Sequence, residues 1–255
     1  MKKKLIVDIG NSIISYGVFV GDELKARYDM PSDETHVAKA AVLFSEFVKK
    51  EKLNGNDFDG GLISSVVPMF TVSIKKVIKK VLGLDVQILD ESFYKNIEMI
   101  VDNRAEVGGD IVADVMAAKT IFGGPALVID LGTITKNIIL DDKNVFIGVS
   151  FFPGVKACIS AMRDKTALLP GFELNEKPEK LIGTNTIDAM RSGVFYATLN
   201  GIKSLAKQIE EEYKLPFKKI LTGGNASIFK DYLPEFYLDE DFVLKGINYL
   251  LERRG

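Results

Sequence analysis

The sequence has one cysteine, one histidine and no run of roughly 18 apolar residues, and each shortage removes a class of function. A lone Cys158 excludes an intrachain disulfide and any cysteine-cluster zinc site, and is expected to serve as packing in a helix. A lone His36 argues against a histidine metal centre and against a Ser-His-Asp triad. It lies in PSDETHVAKAAVLF, where a helix starts, and is expected at the surface. Without an apolar span, no membrane partner is expected. The initial MKKK precedes a stretch broken by Asp8, Gly10, Asn11 and Ser12, so no signal peptide is read and a cytoplasmic location is expected. The formal net charge of -2 offers no general attraction to nucleic acid. Phosphate-binding signatures are missing too: there is no G-x-x-x-x-G-K-[ST], no G-x-G-x-x-G and no protein-kinase set. Any chemistry must therefore run on carboxylates, hydroxyls, amides, backbone and bound ions.

The chain does hold one pattern twice. KLIVDI, IISYGVFV and ELKARYDM read as strands, with Gly21-Asp22 as a hairpin turn. HVAKAAVLFSEFVKKEKL and TVSIKKVIKKVL read as amphipathic helices around the buried strand FDGGLISSVV, and DVQILD as a short strand. The second half repeats the plan. ALVIDLG, TKNIIL and NVFIGVS are strands, followed by helices over PGVKACISAMRDKTALL and TIDAMRSGVFYATLNGIKSLAKQIEEEYK. The strand KKILTGG and helices over NASIFKDYL and FVLKGINYLLERR complete it. Each half thus follows β-β-β-α-β-α-β, which implies an α/β fold of two duplicated domains, 1–115 and 116–255, each a mixed five-stranded sheet flanked by helices.

The repeated element is a strand ending in Asp, an apolar residue and Gly, then small polar residues. In VDIGNS, Asp8 reaches the carboxyl end of a buried strand, Gly10 permits a tight turn, and Asn11 and Ser12 supply donors. A carboxylate beside such donors suits a divalent cation bridging to phosphate oxygens. IDLGTIT supplies Asp130, Gly132, Thr133 and Thr135 in the same way. Two such turns could hold a nucleoside triphosphate. A third, LTGGNAS, offers Gly223 and Gly224 for a flat ring against backbone, at the start of a helix.

DIGNS at 8–12, ISSVVP at 63–68, EVGGD at 106–110, IDLGT at 129–133, FPGV at 152–155, TALLP at 166–170, GTNT at 183–186 and LTGG at 221–224 occur in that order. Together they resemble the type III pantothenate kinase family, within the acetate-kinase, sugar-kinase, heat-shock ATPase and actin superfamily with its ribonuclease-H-like domains. The resemblance implies an ATP-dependent kinase that phosphorylates the primary hydroxyl of pantothenate, the first step of coenzyme A synthesis. It implies Asp110 as general base, and Asp8 acting through Mg2+ on the phosphates. It implies Gly10, Asn11, Ser12, Gly132, Thr133, Gly223 and Gly224 at ATP. Gly108, Gly109 and Thr186 are implied at pantothenate, and Asp130 as ligand of a monovalent cation, K+ or NH4+. A homodimer is implied as well. Asp110 also reads as an N-cap of the helix that follows.

The chain departs from the family pattern at Ile111, where Arg is usual, and at Lys136, where a further Thr is usual. It departs again at Gly148, which stands alone in place of a glycine pair. With Ile111 where Arg is usual, another basic residue would have to meet the pantothenate carboxylate, and Arg104, Lys136 and Arg163 are the candidates. Two other functions stay open: a kinase of the same fold acting on another small alcohol, and a non-catalytic nucleotide-binding accessory or regulatory protein.

Overall fold

The structure, a computed structural model, describes residues 2–32 and 37–253. His36 lies outside the described residues. The chain divides into two compact units, Met1–Ile121 with Asp241–Gly255, and Phe122–Glu240. That division differs from two consecutive stretches meeting between 115 and 116.

In the first unit, β1 (Lys3–Ile9), β2 (Ile13–Val20) and β3 (Glu23–Pro31) form an antiparallel meander, turning at Gly21 with φ 58°. Helix α1 (Val37–Lys50) leads to β4 (Phe58–Ser65), and α2 (Pro68–Leu82) leads to β5 (Gln87–Ile88). β4 lies parallel to β1, and β5 parallel to β4, so the sheet order is β3-β2-β1-β4-β5. The helices follow from local sequence. α1 buries Ala40, Phe44, Phe47 and Val48, a single stripe at helical spacing, and ends on Lys49 and Lys50 at its negative pole. α2 begins with Pro68, where no N–H is needed. It stops at Gly83, whose φ of 69° lets its N–H close on Lys79 O. Along β1, Leu5, Val7 and Ile9 face the core shared with α1 and α2. By strand alternation, Ile6 and Asp8 face the other way. A third helix, α3 (Gly109–Ile121), is buried from Ile111 to Ala118.

The second unit repeats this plan with β6 (Ala126–Leu131), β7 (Ile134–Leu140) and β8 (Phe146–Pro153) as its meander. Helices α4 (Val155–Lys165) and α5 (Thr186–Tyr213) form the crossover to β9 (Lys218–Thr222), and α6 (Ala226–Phe229) precedes β10 (Phe236–Leu238). The order β10-β9-β6-β7-β8, with β9 parallel to β6 and β10 parallel to β9, mirrors the first sheet. Leu127, Ile129 and Leu131 pack with Phe195, Leu199 and Ile202 of α5, and Phe195 stacks on Phe229 at 5.1 Å. The helix expected over PGVKACISAMRDKTALL stops at Lys165, and 166–185 contains no regular element. Cys158 is half-buried rather than enclosed, and burial pushes its thiol pKa up, which disfavours the reactive thiolate.

The closing helix α7 (Phe242–Glu252) returns to the first unit. It packs against α3, β1 and β4 on the face opposite α1 and α2. Polar contacts register it. Lys4 pairs with Glu252 at 2.5 Å, Arg27 with Asp241 at 2.8 Å, and buried Asn248 donates from Nδ2 to Gly21 O at 3.0 Å. Close approach is possible because Gly246 has no side chain: a Cβ there would overlap Ala113 O and lie 2.5 Å from the Ala113 carbonyl carbon. Gly246→Ala is therefore expected to cost about 2–3 kcal/mol by overpacking, read as a lowered urea midpoint. An unchanged midpoint would contradict this packing. Among the described residues, no helix is long and apolar enough to cross a membrane.

Candidate active site

Asp8 is the penultimate residue of β1. Its register partners are Ser15 on β2 and Ser64 on β4, so three oxygen-bearing side chains line one face of the sheet at its carboxyl end. Asp8 is half-buried, while Ser64 is fully buried and its Oγ has no hydrogen-bond partner. The following turn is held by Gly10 N–H donating to Ile13 O at 2.9 Å, with Asn11 and Ser12 exposed.

The glycine pair at the start of α3 brings the backbone just before Asp110 against Ser64. A Cβ on Gly109 would lie 2.8 Å from Ser64 Oγ and 3.1 Å from Leu89 Cδ2, and one on Gly108 would lie 2.5 Å from Asp110 Oδ1. Bare backbone thus lets the start of α3 settle on Ser64 while the Asp110 carboxylate folds back over Gly108. Asp110 Oδ1 accepts the Ile111 N–H at 2.9 Å. Gly108, whose carbonyl accepts the Val112 N–H at 3.0 Å, rather than Asp110, stands at the cap position. Asp110 lies in the first turn, where the helix dipole favours a carboxylate. The motif ISSVVP by itself gives Ser64 no role. The signal for it is its register, a hydroxyl opposite an Asp on the neighbouring parallel strand.

In the second unit Asp130 is again penultimate in its strand, with Thr222 on β9 and Lys136 on β7 as partners. Two further motifs converge on the Gly132-Thr133 turn that follows and on the residues leading into it. From FPGV, Gly154 N–H donates to Thr133 O at 3.1 Å, and a Cβ on Gly154 would overlap Gly132 O. From LTGGN, Asn225 donates to Leu131 O through both its backbone N–H and Nδ2, each at 3.1 Å. Gly223, at φ 88°, lies so close to Asp130 that a Cβ would overlap Oδ1 and sit 2.6 Å from Leu131 N. Gly224 has no atom within 4 Å of a built Cβ and presents open backbone. Thr186 opens α5 and is exposed, behind Asn185, whose side chain caps the helix by accepting from Asp188 N–H at 2.9 Å.

Asp130 is expected, from the resemblance, to hold a monovalent cation. Its Oδ2 instead lies 2.5 Å from the Lys136 ammonium, with Asp130 only 5% and Lys136 only 9% exposed. A second cation would have to share that carboxylate with a buried ammonium, so these residues do not fit a bound K+ or NH4+. The equivalent partner of Asp8 is Ser15, which carries no charge. Thr222 Oγ1, buried on the Asp130 face, has no hydrogen-bond partner.

Each basic residue that could stand in for an Arg at position 111 has a partner within its own unit. Arg104 donates to Ile97 O at 3.0 Å and to Tyr94 O at 3.1 Å, tying down its own loop. Lys136 serves Asp130, and Arg163 pairs with Asp164 at 2.8 Å on the surface. Ile111 itself is 6% exposed and belongs to the core.

Among the described residues, no group of three or more His, Cys, Asp or Glu could hold a metal. A carboxylate flanked by hydroxyls, as at Asp8, fits Mg2+ that arrives with phosphate oxygens completing its shell, since Mg2+ is usually held by one or two carboxylates plus substrate.

A family model for type III pantothenate kinase matches residues 4–208. A type III pantothenate kinase of Bifidobacterium animalis subsp. lactis is 31% identical over 244 residues, covering 95% of this chain and 96% of that one. Another, from Bifidobacterium longum strain NCC 2705, is 32% identical over 251 residues, covering 97% of each. Among solved structures, a Baf-family protein of Campylobacter jejuni described as a transcriptional activator superposes with a TM-score of 0.62 at 20% identity, covering 97% of each chain. The activator of 2-hydroxyisocaproyl-CoA dehydratase from Clostridium difficile, solved with bound ADPNP, superposes at 0.57 with 12% identity, covering 99% of this chain and 94% of that one. These likenesses and the two matching sheets identify the fold as the duplicated ribonuclease-H-like architecture of actin-like ATPases.

Proposed function

The chain belongs to the type III pantothenate kinase family, and from that premise we propose that it transfers the γ-phosphoryl group of ATP to the primary hydroxyl of pantothenate. The product is 4'-phosphopantothenate, and the step opens coenzyme A synthesis. One observation supports the residue assignments: Asp8 and Ser64 are register partners, and α3, whose first turn carries Asp110, begins with Gly109 against Ser64.

In this reading Asp110 accepts the hydroxyl proton as the oxygen attacks the γ-phosphorus, and ADP leaves. Asp8 would hold the Mg2+, whose charge would offset that of the phosphates. Gly10, Asn11 and Ser12 supply donors to the phosphates, as do Gly132 and Thr133. Gly223 and Gly224 take the nucleotide, while Gly108, Gly109 and Thr186 approach the acceptor. Phosphoryl transfer needs little covalent chemistry from the protein, so positioning and charge neutralisation dominate. A cytoplasmic homodimer completes the proposal. Leu168, Leu181 and Ile182, at 92%, 61% and 76% exposure, give a second copy apolar surface to cover. Sedimentation as a monomer at micromolar concentration would remove the dimer from the reading.

The test is ADP release from ATP and Mg2+ with and without pantothenate. Pantothenate-dependent release is expected, and Asp110→Asn should lower it about 10³-fold while ATP binding by calorimetry stays nearly unchanged. Loss of ATP binding in that variant would overturn the base assignment. Buried Ile111 favours a second reading, a kinase for an alcohol without a carboxylate. Turnover with an uncharged pantothenate analogue but none with pantothenate itself would select it.

A further inference from the structure

The two halves place an aspartate at the same point of equivalent sheets, yet surround it differently. Asp8 faces Ser15 across the hairpin, and Asp130 faces Lys136. The Lys136 ammonium reaches Asp130 Oδ2 at 2.5 Å where both side chains are nearly excluded from water. A buried carboxylate needs a counter-charge, and here the chain supplies its own. We infer that Lys136 is a resident cation, covalently tethered, which does at Asp130 what a dissociable K+ or NH4+ would otherwise do, so the second turn needs no monovalent cation from solution.

Several features support this. Register pairing fixes Lys136 directly opposite Asp130, and strand β7 around it is buried, with Ile138 and Asn137 at 0% exposure. The Gly223 backbone also packs close to the aspartate, since a Cβ built there would overlap Asp130 Oδ1. A small cation draws on several oxygens, and on this face the neighbouring strand adds one hydroxyl, Thr222 Oγ1. A tethered ammonium is present at a fixed high local concentration whatever the ionic composition of the medium.

The nucleotide arm of the test rests on the kinase reading, and the melting arm does not. Thermal melting of the full chain and calorimetric titration with ADP and Mg2+ are run in KCl, NH4Cl and tetramethylammonium chloride at matched ionic strength. For the unaltered chain, midpoints should agree within about 1 °C and affinities within about twofold across the three salts. Lys136→Met should become salt-selective, with K+ or NH4+ raising its midpoint by several degrees and restoring about tenfold in ADP affinity relative to tetramethylammonium. A tenfold gain in affinity, or a midpoint raised by K+, in the unaltered chain overturns the inference. So does a Lys136→Met protein indifferent to K+. If that variant does not fold, Asp130→Asn with Lys136→Met removes both charges and should fold without salt selectivity; salt selectivity in that double variant would count against the inference, and the unaltered chain remains decisive. If ADP binds in no salt, the nucleotide reading fails, and melting alone judges Lys136.

Discussion

Asp8→Asn will lower phosphoryl transfer about 10³-fold and leave folding nearly unchanged. The carboxylate is half-buried at the end of β1 among Ser15 and Ser64, while the core strand positions around it, Leu5, Val7 and Ile9, belong to the opposite face. Asn keeps the shape and can still hydrogen-bond, but it removes the negative charge that orients a divalent cation. The melting midpoint should shift by only a few degrees, and the loss should appear in kcat rather than in the stability of the sheet. A variant retaining most of its turnover would refute the metal role of Asp8. A variant that does not fold would show the carboxylate to be structural.

Gly223→Ala should damage both the stability of the second unit and its nucleotide binding. Its φ of 88° is a conformation that alanine adopts only under strain, and the added Cβ would meet Asp130 Oδ1 and Leu131 N. Strain and overlap together should cost about 3 kcal/mol. The cost should be visible twice, because Asp130 and Leu131 lead directly into the Gly132-Thr133 turn: as a lower urea midpoint, and as at least about tenfold weaker ADP binding. Gly224→Ala is the matched control. Open space surrounds its built Cβ, so stability should change by less than about 1 kcal/mol, and any loss there should fall on nucleotide binding alone. Equal stability of the two variants would contradict the packing of Gly223 on Asp130.

The motifs are legible because their chemistry is local. An Asp, a Gly and two donors in five residues are the pattern expected of a phosphate turn, and their second occurrence announces the duplication that the two sheet orders bear out. Ser64 is less legible: its meaning comes from standing beside Asp8, and parallel register between β1 and β4 is set across more than fifty residues of chain. Lys136 reads in sequence as a departure from a threonine pattern. Hairpin register alone places it opposite Asp130, but whether it turns toward the carboxylate or to solvent depends on burial of the strand. Ile111 looks like a missing substrate contact and is a core residue, because α3 is enclosed along its whole middle.

Alternation and helical spacing, read from the sequence alone, determined the strands, most of the helices and the repeated β-β-β-α-β-α-β order, and the ordered motifs determined the family. The tertiary structure alone decided the division of the chain. An apolar helix face states that it must be covered, not by what, so nothing local told α7 to cross back and pack on α3 through Gly246 and Ala113. Charge pairing was settled at the same level. A lysine and an aspartate six residues apart become a buried ion pair only when two strands meet in one register and the sheet around them excludes water.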